Sequence, residues 1–224
     1  FLHVKRAADV AGSALLLLAT SPLLAVATTL IAILDGRPIF YRQARAGFLG
    51  QPFTVLKFRT MRLGAESQGP FTSAQAHGAS ITRLGNILRR YRIDELPQLW
   101  NVLIGDMALV GPRPEWVKEV AVLEKVVPSY HLRHLVKPGI TGWAQVKFRA
   151  TNSIDDSIEK IHFDLYSLKY LSFGLDISIL LKTIKRALTH DSQVVPRRAP
   201  SLQMKQNIEH WATDLTAHLE RRPS

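Results

Sequence analysis

Between Val10 and Leu34 the chain runs for 25 residues without a charge, rich in Leu, Ala, Val and Ile. A straight helix of that length is about 37 Å long, against about 30 Å for the hydrocarbon core of a bilayer. Pro22 stands in the middle of the run, directly after Ser21. Proline removes one helical hydrogen bond and crowds the carbonyl four residues back, so the pattern predicts a kink there. The hydroxyls of Thr20 and Ser21 are placed to satisfy the backbone groups that the proline frees. Lys5 and Arg6 precede the run, and Arg37, Arg42 and Arg45 follow it. Positive flanks mark the cytoplasmic side, so both ends read as cytoplasmic. A helix that enters, bends and leaves by the same face satisfies the two observations, with a single crossing as the alternative.

Beyond the run the pattern shortens. Residues 38–42 and 53–59 read as two strands joined by the glycine-bearing segment 44–51, which predicts a β-hairpin. Residues 64–80 mix Gly, Pro, Ser, Gln and Ala and read as a mobile loop. Ile81, Leu84, Leu88 and Tyr91 recur at helical spacing, and Leu96, Leu99, Trp100 and Leu103 continue an apolar face until Gly105-Asp106. A helix is predicted from Glu115 to Val127, stopping before Pro128. Residues 136–144 read as a loop around Trp143, whose commonest places are a core or a membrane interface. Ser153 reads as an N-cap for a helix lined by Ile154, Ile158, Ile161, Leu165 and Leu168. A basic amphipathic helix follows, with Ile177, Leu180, Leu181, Ile184 and Leu188 on one side and Lys182, Lys185 and Arg186 on the other. Met204, Ile208, Trp211, Leu215 and Leu219 suggest a last helix for a partner or an oligomer. The fold class is therefore α+β and predominantly helical, with a small β-hairpin and amphipathic helices. The expected division is a membrane helix over 1–36, a catalytic domain over 37–190 and a polar tail over 191–224.

Charge narrows the partners. The net charge of +11 and pI of about 10.2 point to an anionic partner: nucleic acid, anionic lipid or a phosphorylated substrate. No nucleic-acid motif is present, which leaves the last two. The absence of cysteine excludes disulfides and thiolate metal sites. His131 and His134 lie three residues apart but lack the further ligands of a zinc pattern.

The chemistry concentrates at 89–100. Arg89, Arg90 and Arg92 crowd in ahead of Asp94 and Glu95, and Pro97 suits the first turn of a helix. Both carboxylates then sit where free N–H groups favour negative charge. Two carboxylates inside an anion site would repel its ligand, unless a divalent cation or a reaction at a carboxylate resolves the conflict. The competing reading is a capped helix with solvated charges. Lys57 and Arg59, two apart on a strand, point two cations one way. Arg113, held between Pro112 and Pro114, has a restricted direction. Each pair alone is also compatible with an exposed charged surface.

Taken together these segments have one relative. The chain resembles the bacterial sugar transferases, the monotopic phosphoglycosyl transferases, in 5–9 (KRAAD), Ser21-Pro22, 57–61 (KFRTM), 94–99 (DELPQL), 101–103 (NVL), 105–107 (GDM) and 110–114 (VGPRP). Residues 137–143 (KPGITGW) are similar to exopolysaccharide-type members, and the resemblance covers about residues 3–190. It implies transfer of a sugar 1-phosphate from a UDP-sugar to a polyprenyl phosphate, undecaprenyl phosphate in bacteria, with release of UMP. It further implies a phosphosugar intermediate on Asp94, Mg²⁺ held by Glu95, and phosphate contacts from Arg89, Arg113, Lys57 and Arg59. It also implies a re-entrant membrane helix at the cytoplasmic face of the inner membrane, and longer members carry transmembrane helices upstream. A homo-oligomer is open, and a non-catalytic assembly factor for polysaccharide synthesis is the alternative from another class.

Overall fold

The structure, a computed structural model, describes residues 2–64, 80–127, 129–148 and 154–189. The predicted loop over 64–80, the cap at Ser153 and the helix over 204–219 fall wholly or largely outside these residues.

Helix α1 spans Leu2–Leu34 as a single α-helix with Pro22 inside it. The carbonyl that Pro22 leaves without a donor is that of Leu18, and the Ser21 hydroxyl donates to it at 2.8 Å. Thr20 likewise donates to Leu16 O at 2.7 Å. The Ser21 hydroxyl thus satisfies the freed carbonyl as the sequence predicts, whereas Thr20 bonds a carbonyl that the proline does not free, and the helix is continuous through Pro22. Side chains buried in α1 fall in two pairs, Asp9 with Ser13 and Ala27 with Ile31. Between the pairs the surface is apolar and open, with Leu15, Leu16, Leu18, Leu23 and Val26 exposed.

Both ends of α1 are bonded to the same body. Near the start, Arg6 donates to Val102 O and Leu103 O, the last carbonyls of a helix where positive charge is favoured. Asp9 Oδ1 accepts from Leu109 N at 3.1 Å, and Lys5 pairs with Asp176 at 2.7 Å. At the other end Asp35 Oδ2 accepts from the Thr82 hydroxyl at 2.8 Å. Ala27 and Ile31 pack there with Phe58 and Leu88.

Strands β1 (Phe40–Ala46) and β2 (Pro52–Phe58) form the predicted antiparallel hairpin, with Phe40 opposite Phe58 and Ala46 opposite Pro52. β1 runs further than its sequence suggests, because Gly47 to Gln51 suffice to turn the chain. Helix α2 (Arg83–Arg90) is capped by the Thr82 hydroxyl, which accepts from Gly85 N. Helix α3 spans Gln98–Ile104 and ends at Gly105, whose φ of 104° suits glycine. A β-carbon on Gly85 would meet the backbone of Thr60, so α2 lies directly on the end of the hairpin.

The segment before Pro112 and the predicted loop over 136–144 contribute to a second sheet. β3 (Ala108–Val110) and β4 (Gly139–Thr141) pair in parallel, each three residues long. Strands this short carry no readable alternation. Helices α4 (Val117–Val126), α5 (Trp143–Lys147), α6 (Ile154–Lys169) and α7 (Phe173–Thr189) complete the body. Its largest core joins α4 and α6 through Leu123, Val127, Ile161 and Leu165. Trp143 is a packing residue, stacked on Tyr166 at 5.9 Å between centroids.

Candidate active site

The charged stretch at 89–100 is not one helix. α2 stops at Arg90, Arg92 takes a left-handed conformation with φ 58°, and Ile93–Glu95 form one 3₁₀ turn before Pro97 opens α3. That reversal sets both carboxylates against β2 and the 112–114 loop. Left-handed backbone is costly for a residue with a β-carbon, and it places Asp94 and Glu95 on neighbouring but different surroundings.

Glu95 is gripped by cations. Its Oε1 accepts from Lys57 Nζ at 3.0 Å and from Arg113 NH2 at 2.9 Å. Arg92 NH1 stands 3.7 Å from Oε2. Burial favours the neutral acid, yet Arg113, Lys57 and Arg92 outweigh it and hold the Glu95 carboxyl well below the usual carboxylate range. The charge on Glu95 in turn raises Arg113 above its ordinary value. Burial lowers Lys57, against the pull of Glu95.

Asp94 is in the opposite condition. Its Oδ1 is buried and accepts no hydrogen bond. Burial raises its pKa and the neighbouring Glu95 charge raises it further, while Lys57, Arg89 and Arg92 oppose the rise. One carboxylate is thus fully compensated and the other is left with a free oxygen. A free, desolvated oxygen is what a nucleophile requires.

The other predicted residues divide. Lys57, Glu95 and Arg113 meet directly. Arg89, in the last turn of α2, donates Nε to the Thr60 hydroxyl at 2.8 Å and acts on Asp94 through its charge. Arg59 is placed elsewhere: it is 7 % exposed and its NH2 donates to Asp35 O and Gly36 O at the end of α1. The shared strand face expected for Lys57 and Arg59 is lost because β2 ends at Phe58. Two residues given no site role from the sequence matter here. Asn101 bridges α3 to β2, accepting from Leu56 N at 3.0 Å and donating to Thr54 O at 2.8 Å. Arg45 donates to Pro114 O at 3.3 Å and so reaches the same loop from β1. An arginine on a hairpin gives no sequence signal of either kind.

A model of the bacterial sugar transferase family matches residues 2–190. The chain belongs to this family. Among its relatives, the UDP-N-acetylgalactosamine-undecaprenyl-phosphate N-acetylgalactosaminephosphotransferase of Aeromonas hydrophila is 39 % identical over 189 residues, which are 84 % of this chain and 44 % of that protein. The UDP-glucose:undecaprenyl-phosphate glucose-1-phosphate transferase of Escherichia coli is 39 % identical over 183 residues, 81 % of this chain and 39 % of that protein. An exopolysaccharide production protein of Rhizobium leguminosarum bv. phaseoli is 37 % identical over 193 residues and is covered over 96 % of its length. The chain therefore spans less than half of the first two relatives and nearly all of the third. The matched residues 2–190 contain every residue of the Asp94–Glu95–Lys57–Arg113 cluster.

Proposed function

We propose that this sugar transferase moves a sugar 1-phosphate from a UDP-sugar to undecaprenyl phosphate in two displacements. The observation that carries the reading is the contrast within one pair, Asp94 with an unpartnered buried oxygen beside Glu95 held by two cations. In the first displacement an Asp94 oxygen attacks the phosphorus that bears the sugar, and the bond to UMP breaks. In the second, an oxygen of the polyprenyl phosphate attacks the same phosphorus and returns the Asp94 carboxylate. The product is a polyprenyl diphosphate sugar, the first lipid-linked unit of an exopolysaccharide or glycoconjugate. Arg113 and Arg89 offer planar forks to phosphate oxygens and Lys57 a point charge.

Mg²⁺ fits the donor set. Glu95 Oε1 stays on Lys57 and Arg113, Oε2 lies 3.7 Å from Arg92, and the adjacent Asp94 Oδ1 is a buried oxygen without a hydrogen-bond partner. Glu95 would hold the ion, with the remaining positions filled by substrate oxygens and water. Bound there, Mg²⁺ would screen the diphosphate charge that otherwise repels a carboxylate. The test is incubation with a labelled UDP-sugar and Mg²⁺ without acceptor. Label on the protein that is lost to hydroxylamine, with stoichiometric UMP, is expected; UMP release with no labelled protein would rule out the two-step route.

Arg113→Ala is expected to slow UMP release by about 10²-fold, the scale for losing a fixed donor to transition-state charge. Initial rates over a UDP-sugar series check it, and unchanged rates would remove Arg113 from the chemistry.

The reading places the enzyme at the cytoplasmic face of the inner membrane, on α1 as a re-entrant helix. α1 is long and apolar enough to cross a membrane, with 11 % of its most apolar window buried. Support for re-entry comes from its two ends, both bonded to one body, with the uncovered apolar stretch between them. The exposed Ile177, Leu181 and Ile184 of α7, flanked by Lys182 and Lys185, suit the same interface. Cysteines introduced at the exposed His3 and Ala44 should react with an impermeant maleimide from one side only. Reaction from opposite sides would establish a crossing.

A further inference from the structure

Along the Pro112–Glu115 loop each backbone carbonyl has a donor. Pro112 O accepts from Gly139 N at 2.9 Å, and Glu115 O from Ala46 N at 3.0 Å. Pro114 O accepts from Arg45 at 3.3 Å, and Arg113 O from Arg133 NH2 at 2.9 Å. The last of these comes from the deepest side chain in the group. Arg133 is 3 % exposed, and it lies in the 3₁₀ segment Tyr130–Leu135, far from the carboxylates in sequence. Its guanidinium is held in three directions. Nε and NH2 donate to Asp164 Oδ2 on α6 at 3.0 and 2.7 Å, and NH1 donates to the Tyr130 hydroxyl at 2.7 Å.

We infer that Arg133, braced by Asp164 and Tyr130, is a positioning residue that fixes Arg113 for phosphate binding. The inference rests on Arg113 serving as a phosphate ligand in the reading above. Arg133 meets Arg113 at its carbonyl, while the Arg113 guanidinium reaches Glu95 at 2.9 Å. Stability alone does not account for such a group, since a buried ion pair is often replaced by apolar residues without loss. An apolar pair cannot supply a donor to the Arg113 carbonyl. Lysine cannot reproduce it either, because one ammonium cannot meet a carboxylate, a phenol and a carbonyl in the planar geometry of a fork. Small displacements of a phosphate ligand are costly, of order 10²-fold for about 1 Å.

The test is a cycle between the brace and its target. Arg133→Met/Asp164→Leu removes the brace together with its own counter-charge, and Glu115, 4.0 Å from Arg133, keeps Lys160, Arg113 and Arg45 as neighbouring cations. UMP release from a UDP-sugar is expected to fall about 10- to 100-fold, with a cooperative melt retained. In an Arg113→Ala background the same double substitution is expected to change the rate by less than about threefold, because the group it positions is already gone. Full, multiplicative loss in that background would overturn the inference, as would an unchanged rate with Arg113 present. Should the apolar pair fail to fold, Asp164→Asn takes its place, keeping an acceptor for Arg133 and removing the charge. It is expected to give a smaller loss that also vanishes with Arg113→Ala. If the wild-type chain releases no UMP from any UDP-sugar, the transferase reading falls by itself. The same cycle is then run on UMP binding by calorimetry, where non-additive losses support the brace and additive ones refute it.

Discussion

Asp94→Asn is expected to abolish turnover and to make the protein more stable. The rate of UMP release should fall by roughly 10³-fold or more, since an amide cannot form the acyl phosphate. Protein-bound label from a UDP-sugar should disappear with it. The stability change follows from the raised pKa of Asp94, caused first by burial and then by the Glu95 charge. A carboxyl that binds its proton more tightly when folded contributes stability below the ordinary aspartate pKa. That contribution is lost as pH rises through the raised, folded value. At neutral pH the ionised group therefore costs stability, and asparagine removes the cost. A melting temperature above wild type, measured at pH 7 and converging with wild type in acid, is the expected pattern. An unchanged or lower value at pH 7 would show that Asp94 is compensated in a way its free Oδ1 does not suggest.

Glu95→Gln should fail in the reverse sense, losing both activity and stability. Glutamine keeps the shape but leaves Lys57 and Arg113 without an ionised partner. Breaking a buried pair from one side costs about 3–5 kcal/mol. The charges left behind are on Lys57 and Arg113, whose side chains are 19 % and 34 % exposed, so solvent relieves part of that cost and the loss falls toward the lower end of this range. The Glu95 pKa is held far down, so its stabilising contribution is present above the ordinary glutamate value and is lost only in strong acid, as pH falls through the folded one. Urea unfolding of the variant at pH 7 checks the loss, and UMP release checks the chemistry. A variant as stable as wild type would mean that Lys57 and Arg113 find other anions.

The opposite signs expected at adjacent positions test the site better than either loss alone. A pair of solvated charges on a capped helix would show neither.

How far these features can be read from the chain alone depends on the range of the interaction. The repair of Pro22 is local: Ser21 is its neighbour and Leu18 lies one turn away, so sequence suffices. The hairpin is nearly as local, because the turn and the two strands occupy consecutive residues. Asp94 and Glu95 stand out as residues, but their division of labour does not, since Lys57 and Arg113 approach from separate elements. Arg59 shows the limit from the other side. Two residues from Lys57, it passes the end of its strand and turns to the carbonyls of α1. Arg133 was hidden by its neighbours, because His131 and His134 draw attention to metal binding while the residue between them makes the long-range contact. The parallel pair β3–β4 was invisible for a simpler reason. Its alignment rests on Gly111 and Gly139, where a β-carbon on either would strike the other's backbone.

The double attachment of α1 bears on how the two substrates of the proposed reaction would meet. A catalytic body on a flexible tether would wander through a range of heights above the bilayer. Here Arg6 at one end and Asp35 at the other fix the body to its own apolar helix. With α1 in the membrane as proposed, the depth of Asp94 would follow from where that helix settles in lipid. A lipid phosphate confined to the membrane plane has only two dimensions to search, and it arrives at a nearly constant height. The nucleotide sugar arrives from three. Lengthening the apolar run would raise or sink the site relative to the first and leave the second untouched.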